Sequence, residues 1–156
     1  MTPLSPLTLA GVNYRTAPAA VRERFNCALA DLEQIRQTVS PKDDCPWLAV
    51  RELVVLNTCH RLELYASLPE TTAAGPAALA ALWAAAVGAE PADLWPYLYA
   101  HSGRAAAVHL GRVAAGLESL ALGEPQILGQ VAAAHQAARQ AGQSGPILDA
   151  VFRAAI

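Results

Sequence analysis

The sequence predicts an α+β fold: an antiparallel sheet with the ferredoxin-like order of elements, covered by helices on one face and followed by C-terminal helices. Two apolar runs, Leu53–Leu56 and Leu62–Leu68, flank a short polar turn, and the second alternates with the period of two that marks a half-buried strand. Strand-like and helix-like segments follow in the order β-α-α-β-β-α-β-α-α, which suits an antiparallel sheet with helices packed against it. Beyond Ser102 the periodicity is helical throughout.

Taken in order, Leu7 to Tyr14 reads as a short strand with Gly11 inside it, and Ala17-Pro18 opens a helical segment, since proline is tolerated in a first turn. A second helix runs from Leu29 to Val39 and ends in a proline- and aspartate-containing loop, Ser40 to Pro46. The strand pair around Cys59 comes next. After Pro69 a threonine-rich break leads to an alanine-rich helix over Pro76 to Val87. Leu94 to His101, with Trp95, Tyr97 and Tyr99, reads as a last strand, which Pro96 confines to a sheet edge. The helical remainder is broken near Gly123–Pro125 and again at Gly142–Pro146.

No internal repeat or linker divides the 156 residues, so they form one domain with enough length for a real core. Hydrophobic residues make up 54% of the chain, but many are alanines, and the longest apolar stretch, Ala77 to Ala89, is too short to span a bilayer. No membrane is expected as a partner. Net charge is −2, with Lys42 the single lysine beside ten arginines, which is not the basic footprint of a domain that grips nucleic acid through phosphates. Cys27, Cys45 and Cys59 fit neither a disulfide framework nor a CxxC metal site, so no metal is expected. With no secretory signal at the N-terminus, a reduced, cytoplasmic setting is the simplest reading.

The turn Asn57-Thr58-Cys59-His60-Arg61 places a cysteine at a connection rather than inside an apolar run. Neighbouring cations favour the thiolate, the nucleophilic form, so Cys59 is a candidate for covalent catalysis; the alternative is a small buried hydrophobe. In the helix after Ser102, read as unbroken, His109, Arg112, Gly116 and Ser119 fall within about 80° of one another, and Leu110, Val113, Leu117 and Leu120 form a separate apolar stripe. That gives a core face and a second face bearing a histidine, a cation and a hydroxyl, or equally an ordinary solvated face. The segment Gly123-Glu124-Pro125-Gln126-Ile127-Leu128-Gly129-Gln130 reads as a helix restart with Pro125 at or near its first position and with Gln126 and Gln130 on one face.

Three blocks carry a family resemblance. Gly11-Val12-Asn13-Tyr14-Arg15-Thr16-Ala17-Pro18, followed by Arg22-Glu23-Arg24, resembles the opening of glutamyl-tRNA reductases. Asn57 to Tyr65 is similar to that family's STCNRTE[IL]Y motif, and His109 to Leu120, continuing through LGEPQILGQV (Leu122 to Val131), resembles its longest signature. The resemblance implies reduction of glutamyl-tRNA to glutamate 1-semialdehyde with NADPH, the committed step of tetrapyrrole synthesis, by way of a cysteine thioester. Cys59 would be the nucleophile and His109 the histidine needed for activity, as a base for the thiol or an acid for the leaving oxygen. Thr58, His60, Arg61, Ser119, Glu124, Pro125, Gln126 and Gln130 match positions in or beside the glutamyl pocket. A glutamyl ester carries one carboxylate and one ammonium, for which Arg61 and Glu124 are the natural partners.

The chain departs from the pattern at Asn57 for serine, His60 for asparagine and Leu62 for threonine, and Ala132 stands where lysine is common. Family members continue into an NADPH-binding domain and a helical dimerisation domain. No GxGxxG triplet occurs here, so the expected reading is a catalytic domain from a longer enzyme, with NADPH held elsewhere, homodimerisation through other domains, and glutamate-1-semialdehyde aminomutase as a further partner. The alternatives are a stand-alone esterase or acyl-transfer domain and a haem-sensing regulatory module using Cys45-Pro46.

Overall fold

The structure, a computed structural model, describes residues 7–69 and 74–156. The threonine-rich break expected after Pro69 falls on residues 70–73, outside the described residues. Four strands, β1 (Leu7–Asn13), β2 (Glu52–Asn57), β3 (Arg61–Ser67) and β4 (Tyr99–Ser102), form one sheet in the order β2-β3-β1-β4. Every neighbouring pair is antiparallel, and β4 lies at an edge as expected. The α+β class and the ferredoxin-like strand order therefore hold. The helices are α1 (Ala19–Arg24), α2 (Leu29–Thr38), α3 (Gly75–Val87), α4 (Pro91–Leu94), α5 (Arg104–Ala114), α6 (Gln126–Gln140) and α7 (Pro146–Ala155).

The helices cover both faces of the sheet, not one. Alternation along the strands sends Ala10, Val12, Leu53, Val55, Leu62 and Leu64 into a core with residues of α2 and α3. The intervening residues Leu7, Leu9, Val54, Leu56 and Tyr65 enter a second core with α5, α6 and α7. A sheet buried on both faces removes the outward positions that an alternating strand normally gives to water. Glu63 thus sits at a polar position of the β3 alternation, yet is fully buried. The same burial lets Glu52 of β2 cap α7: its carboxylate accepts from the backbone N–H groups of Gly145 (3.1 Å), Ile147 (3.1 Å) and Leu148 (2.7 Å).

Two segments differ from the sequence reading. Leu94 to His101 is not one strand: α4 ends at Leu94, Trp95–Tyr97 forms a 3-10 turn, and only Tyr99–Ser102 pairs with β1. Pro96 has no N–H for a sheet ladder but fits a tight turn, which the Leu98 N–H closes on the Trp95 carbonyl (3.3 Å). The helix after Ser102 stops at Ala114 instead of running to Leu120. Gly116 takes a left-handed φ of +76°, and a Cβ there would lie 2.9 Å from both the Glu124 nitrogen and the Gly123 Cα. The chain therefore crosses itself at Gly116, and the Gly123 N–H donates to the Gly116 carbonyl (3.1 Å). Consequently Leu117 and Leu120 do not continue the apolar stripe; they are 43% and 63% exposed. Among the described residues no single helix is long and apolar enough to cross a membrane.

Candidate active site

The β2–β3 hairpin presents Cys59. Asn57 pairs with Leu62, the Thr58 N–H donates to the Arg61 carbonyl (2.9 Å), and Cys59 and His60 form the tip. The Thr58 hydroxyl accepts from the His60 N–H (3.3 Å), which tightens the turn. The Tyr14 N–H donates to the His60 carbonyl (2.9 Å), so the end of β1 braces the tip. Just beyond, the Asn13 side-chain oxygen accepts from the N–H groups of Arg15 (2.9 Å) and Thr16 (3.2 Å). That turn gives the first sequence block its local role: it leads Arg15 to the Glu118 carboxylate (3.0 Å).

Cys59 is exposed, whereas Cys27 is buried and Cys45 half-buried. Burial, and then the charge of Asp31, push the Cys27 thiol up to about 12. Cys45 precedes the 3-10 turn Pro46–Ala49 and lines neither cleft at Cys59.

Those two clefts lie on opposite sides of Cys59. One is a narrow seam lined by Thr58, Cys59, His60, Arg61, Ser119, Glu124, Ile127 and Gln130. Seven of the residues matched to the catalytic and glutamyl positions are therefore brought together, with Ile127 added. Pro125 and Gln126 are not in its walls; they start α6 and are exposed. The seam has about 10 Å³ of room, enough for a single water. The other cleft, on the α1 side, has a volume of about 490 Å³.

His109 lines neither cleft. It belongs to a buried network centred on Glu63, which the sequence reading did not single out. Glu63 Oε1 accepts from Arg61 Nη1 (2.8 Å), from His109 Nε2 (2.8 Å) and from the Tyr99 hydroxyl, while Oε2 accepts from the Tyr65 hydroxyl. Burial alone would raise the Glu63 carboxyl. The His109 hydrogen bond, the charges of His109 and Arg61 and the Tyr65 hydroxyl outweigh it and hold the group at about 2. An ionised carboxylate only accepts, so His109 Nε2 carries a hydrogen and Nδ1 is the ring atom left open. Burial, then the Glu63 charge, push both the Tyr65 and the Tyr99 phenol well above their ordinary range, which keeps them donors.

Arg61 links this network to the clefts. It is 2% exposed, and its second terminal nitrogen donates to the Glu118 backbone carbonyl. Glu118 itself accepts from Arg112 Nε (2.7 Å) and Arg15 Nη1 (3.0 Å), and the Arg112 bond foremost lowers its carboxyl. The free fork expected of Arg61 is thus already engaged, and the cation beside Cys59 is paired with Glu63.

Gly11 makes the network possible. It pairs with Glu63 on β3 and with Tyr99 on β4, and a Cβ there would lie 2.8 Å from Glu63 Cγ and 2.9 Å from the Tyr99 ring. A glycine inside a strand often marks such a close approach. Gly11→Ala should cost about 1–3 kcal/mol through overpacking, read as a lower denaturant midpoint; an unchanged midpoint would show that the two side chains move aside freely.

Comparison with known proteins follows the same residues. The family described as glutamyl-tRNA(Glu) reductase, N-terminal domain, matches residues 10–156. A glutamyl-tRNA reductase of Nitratidesulfovibrio vulgaris (strain DP4) is 41% identical over 150 residues, covering 94% of this chain and 32% of the relative. One from Geobacillus thermodenitrificans (strain NG80-2) is 39% identical over 151 residues, covering 96% and 32%. The solved structure of the glutamyl-tRNA reductase from Methanopyrus kandleri superposes with a TM-score of 0.71 at 26% identity, covering 97% of this chain and 32% of that one. The chain thus spans about a third of the length of these relatives.

Proposed function

Because the chain belongs to the glutamyl-tRNA reductase family, matching its N-terminal domain, we propose that it forms a glutamyl thioester on Cys59 at the expense of glutamyl-tRNA. The observation that carries this reading is the exposed thiol at a braced hairpin tip, with Thr58, His60, Arg61, Ser119, Glu124 and Gln130 gathered round it in one seam. The Cys59 sulfur attacks the ester carbonyl carbon as its thiolate. A carbon–sulfur bond forms, the carbon–oxygen bond to the ribose breaks, and the ribose oxygen departs with a proton.

The seam, with about 10 Å³ of room, has to widen to admit a glutamyl group. Glu124 then takes the ammonium and Arg61 the side-chain carboxylate. Arg61 does so by giving up its bond to the neutral Glu118 carbonyl, because the charge-assisted bond to Glu63 is the stronger one. His109 holds Glu63, and through it Arg61, so in this reading it acts by positioning.

The described sheet is antiparallel throughout and offers no strand–glycine turn–helix crevice of the kind that seats a dinucleotide. These residues do not fit NADPH, and the reduction is assigned to the part of the longer relatives that the chain does not span. Dimerisation and hand-over to glutamate-1-semialdehyde aminomutase are proposed for the whole protein on the same basis.

Alkylation tests the site. Glutamyl-tRNA should slow iodoacetamide labelling of Cys59 several-fold and leave Cys45 labelling unchanged, as read by peptide mass spectrometry. Equal labelling of Cys59 with and without the substrate would overturn the assignment.

A further inference from the structure

We propose that the 490 Å³ cleft on the α1 side of Cys59 binds the terminal adenosine of the tRNA, the leaving group, and that Asn26 and Asn57 read its adenine. This rests on the thioester reading above and adds where the departing half of the ester sits. When a sulfur adds to an ester carbonyl, the acyl chain and the leaving oxygen point away from each other across the attacked carbon. A cysteine serving such a reaction therefore needs room on two sides, and Cys59 has it. Leu62 and Ile127, on opposite faces of the sheet, line the large cleft and the seam respectively.

The linings divide the substrate. The seam offers Arg61, Glu124, Ser119 and Gln130, groups suited to a charged amino acid. The large cleft falls within the range of small-molecule sites, roughly 300–1,000 Å³, and mixes carbon surface from Ala19 and Leu62 with Arg22, Glu23, Asn26 and Asn57. Carbon surface suits the face of a base, and amide and carboxylate groups suit its edge and the ribose hydroxyls.

The two asparagines suit a base that carries an amino group beside an unprotonated ring nitrogen, as the adenine of a tRNA's terminal nucleoside does. Asn57 Nδ2 donates to Asn26 Oδ1 (2.7 Å) and to the Cys27 carbonyl (3.1 Å). A carbonyl only accepts, so this contact fixes the orientation of both amides. What remains is one acceptor, Asn57 Oδ1, beside one donor group, Asn26 Nδ2. An adenine edge presents the complement: its exocyclic amino group donates and the adjacent ring nitrogen accepts. Both asparagines are exposed, so a base can reach them. Asn57 is the position at which the chain departs from the serine of the family motif, and a serine cannot hold Asn26 in this arrangement.

The adenosine amide of glutamate, in which an uncleavable amide replaces the ester, provides the probe. Calorimetric titration compares it with its purine counterpart lacking the exocyclic amino group and with glutamate α-amide, which has no nucleoside. The wild-type chain should bind the adenosine compound at least about tenfold more tightly than either, the discrimination expected of a paired hydrogen-bond contact. Ala19→Trp, which fills the cleft from an exposed position on α1, should abolish the gain from the nucleoside while leaving glutamate α-amide binding unchanged. Asn57→Ser should erase the preference for adenine over purine. If the gain survives in Ala19→Trp, or the wild type shows none, the cleft assignment is overturned and the thioester reading stands. If glutamate α-amide also fails to bind, the placing of the glutamyl group in the seam falls with it, while the thioester on Cys59 is judged by the mass of the protein.

Discussion

Glu63→Gln should lower the stability of this chain by about 3–5 kcal/mol, the range for removing one partner of a buried ion pair. Arg61 is 2% exposed and Glu63 fully buried, so the variant leaves a guanidinium enclosed without its counter-charge. For a chain of this size each kcal/mol shifts the melting temperature by about 2–4 °C, so a drop of about 10 °C is expected. The pH dependence follows from the depressed carboxyl. Its folded value of about 2 lies below the unfolded one. The stabilisation is therefore complete above the unfolded value of about 4.3, and is lost as pH falls from there towards 2. Wild type should weaken across that window, and Glu63→Gln should weaken less steeply. A melting temperature within about 2 °C of wild type would mean that Tyr65, Tyr99 and His109 hold the site without the charge.

Cys59→Ser should reduce acyl transfer by about a thousandfold or more, equivalent to about 4 kcal/mol of barrier, and should leave stability nearly unchanged. A serine hydroxyl is a weak nucleophile near neutral pH unless a base activates it, whereas a thiol has a thiolate fraction available. The side chain is exposed at a hairpin tip, so the exchange removes no core packing. Neither of the other cysteines can substitute. Cys27 is buried with its thiol pushed up to about 12, and Cys45 lines neither cleft. Transfer that persisted in Cys59→Ser would require another acceptor.

The hairpin carrying Cys59 was legible because alternation and a polar turn are local signals, and strand pairing placed the motif where they indicated. The seam was legible mainly through the family blocks, since Ser119, Glu124 and Gln130 reach Cys59 by a loop and a helix start rather than along one helix face. The unbroken helix failed at Gly116, whose φ of +76° serves a backbone crossing with residues 123 and 124. A helical pattern does not record such a tertiary contact. Glu63 was missed because helices were expected on one face only, which made it an ordinary solvent-side residue of an alternating strand. Its partners Tyr99 and His109 lie 36 and 46 positions away, beyond any local pattern.

The central claim is that Cys59 accepts the glutamyl group, and intact mass spectrometry of the chain after incubation with glutamyl-tRNA tests it most directly. A mass increase of one glutamyl group, labile to hydroxylamine and absent in Cys59→Ser, is the predicted result. An adduct of the same mass on Cys59→Ser, or wild-type protein that neither gains the group nor speeds deacylation of the tRNA, would contradict it.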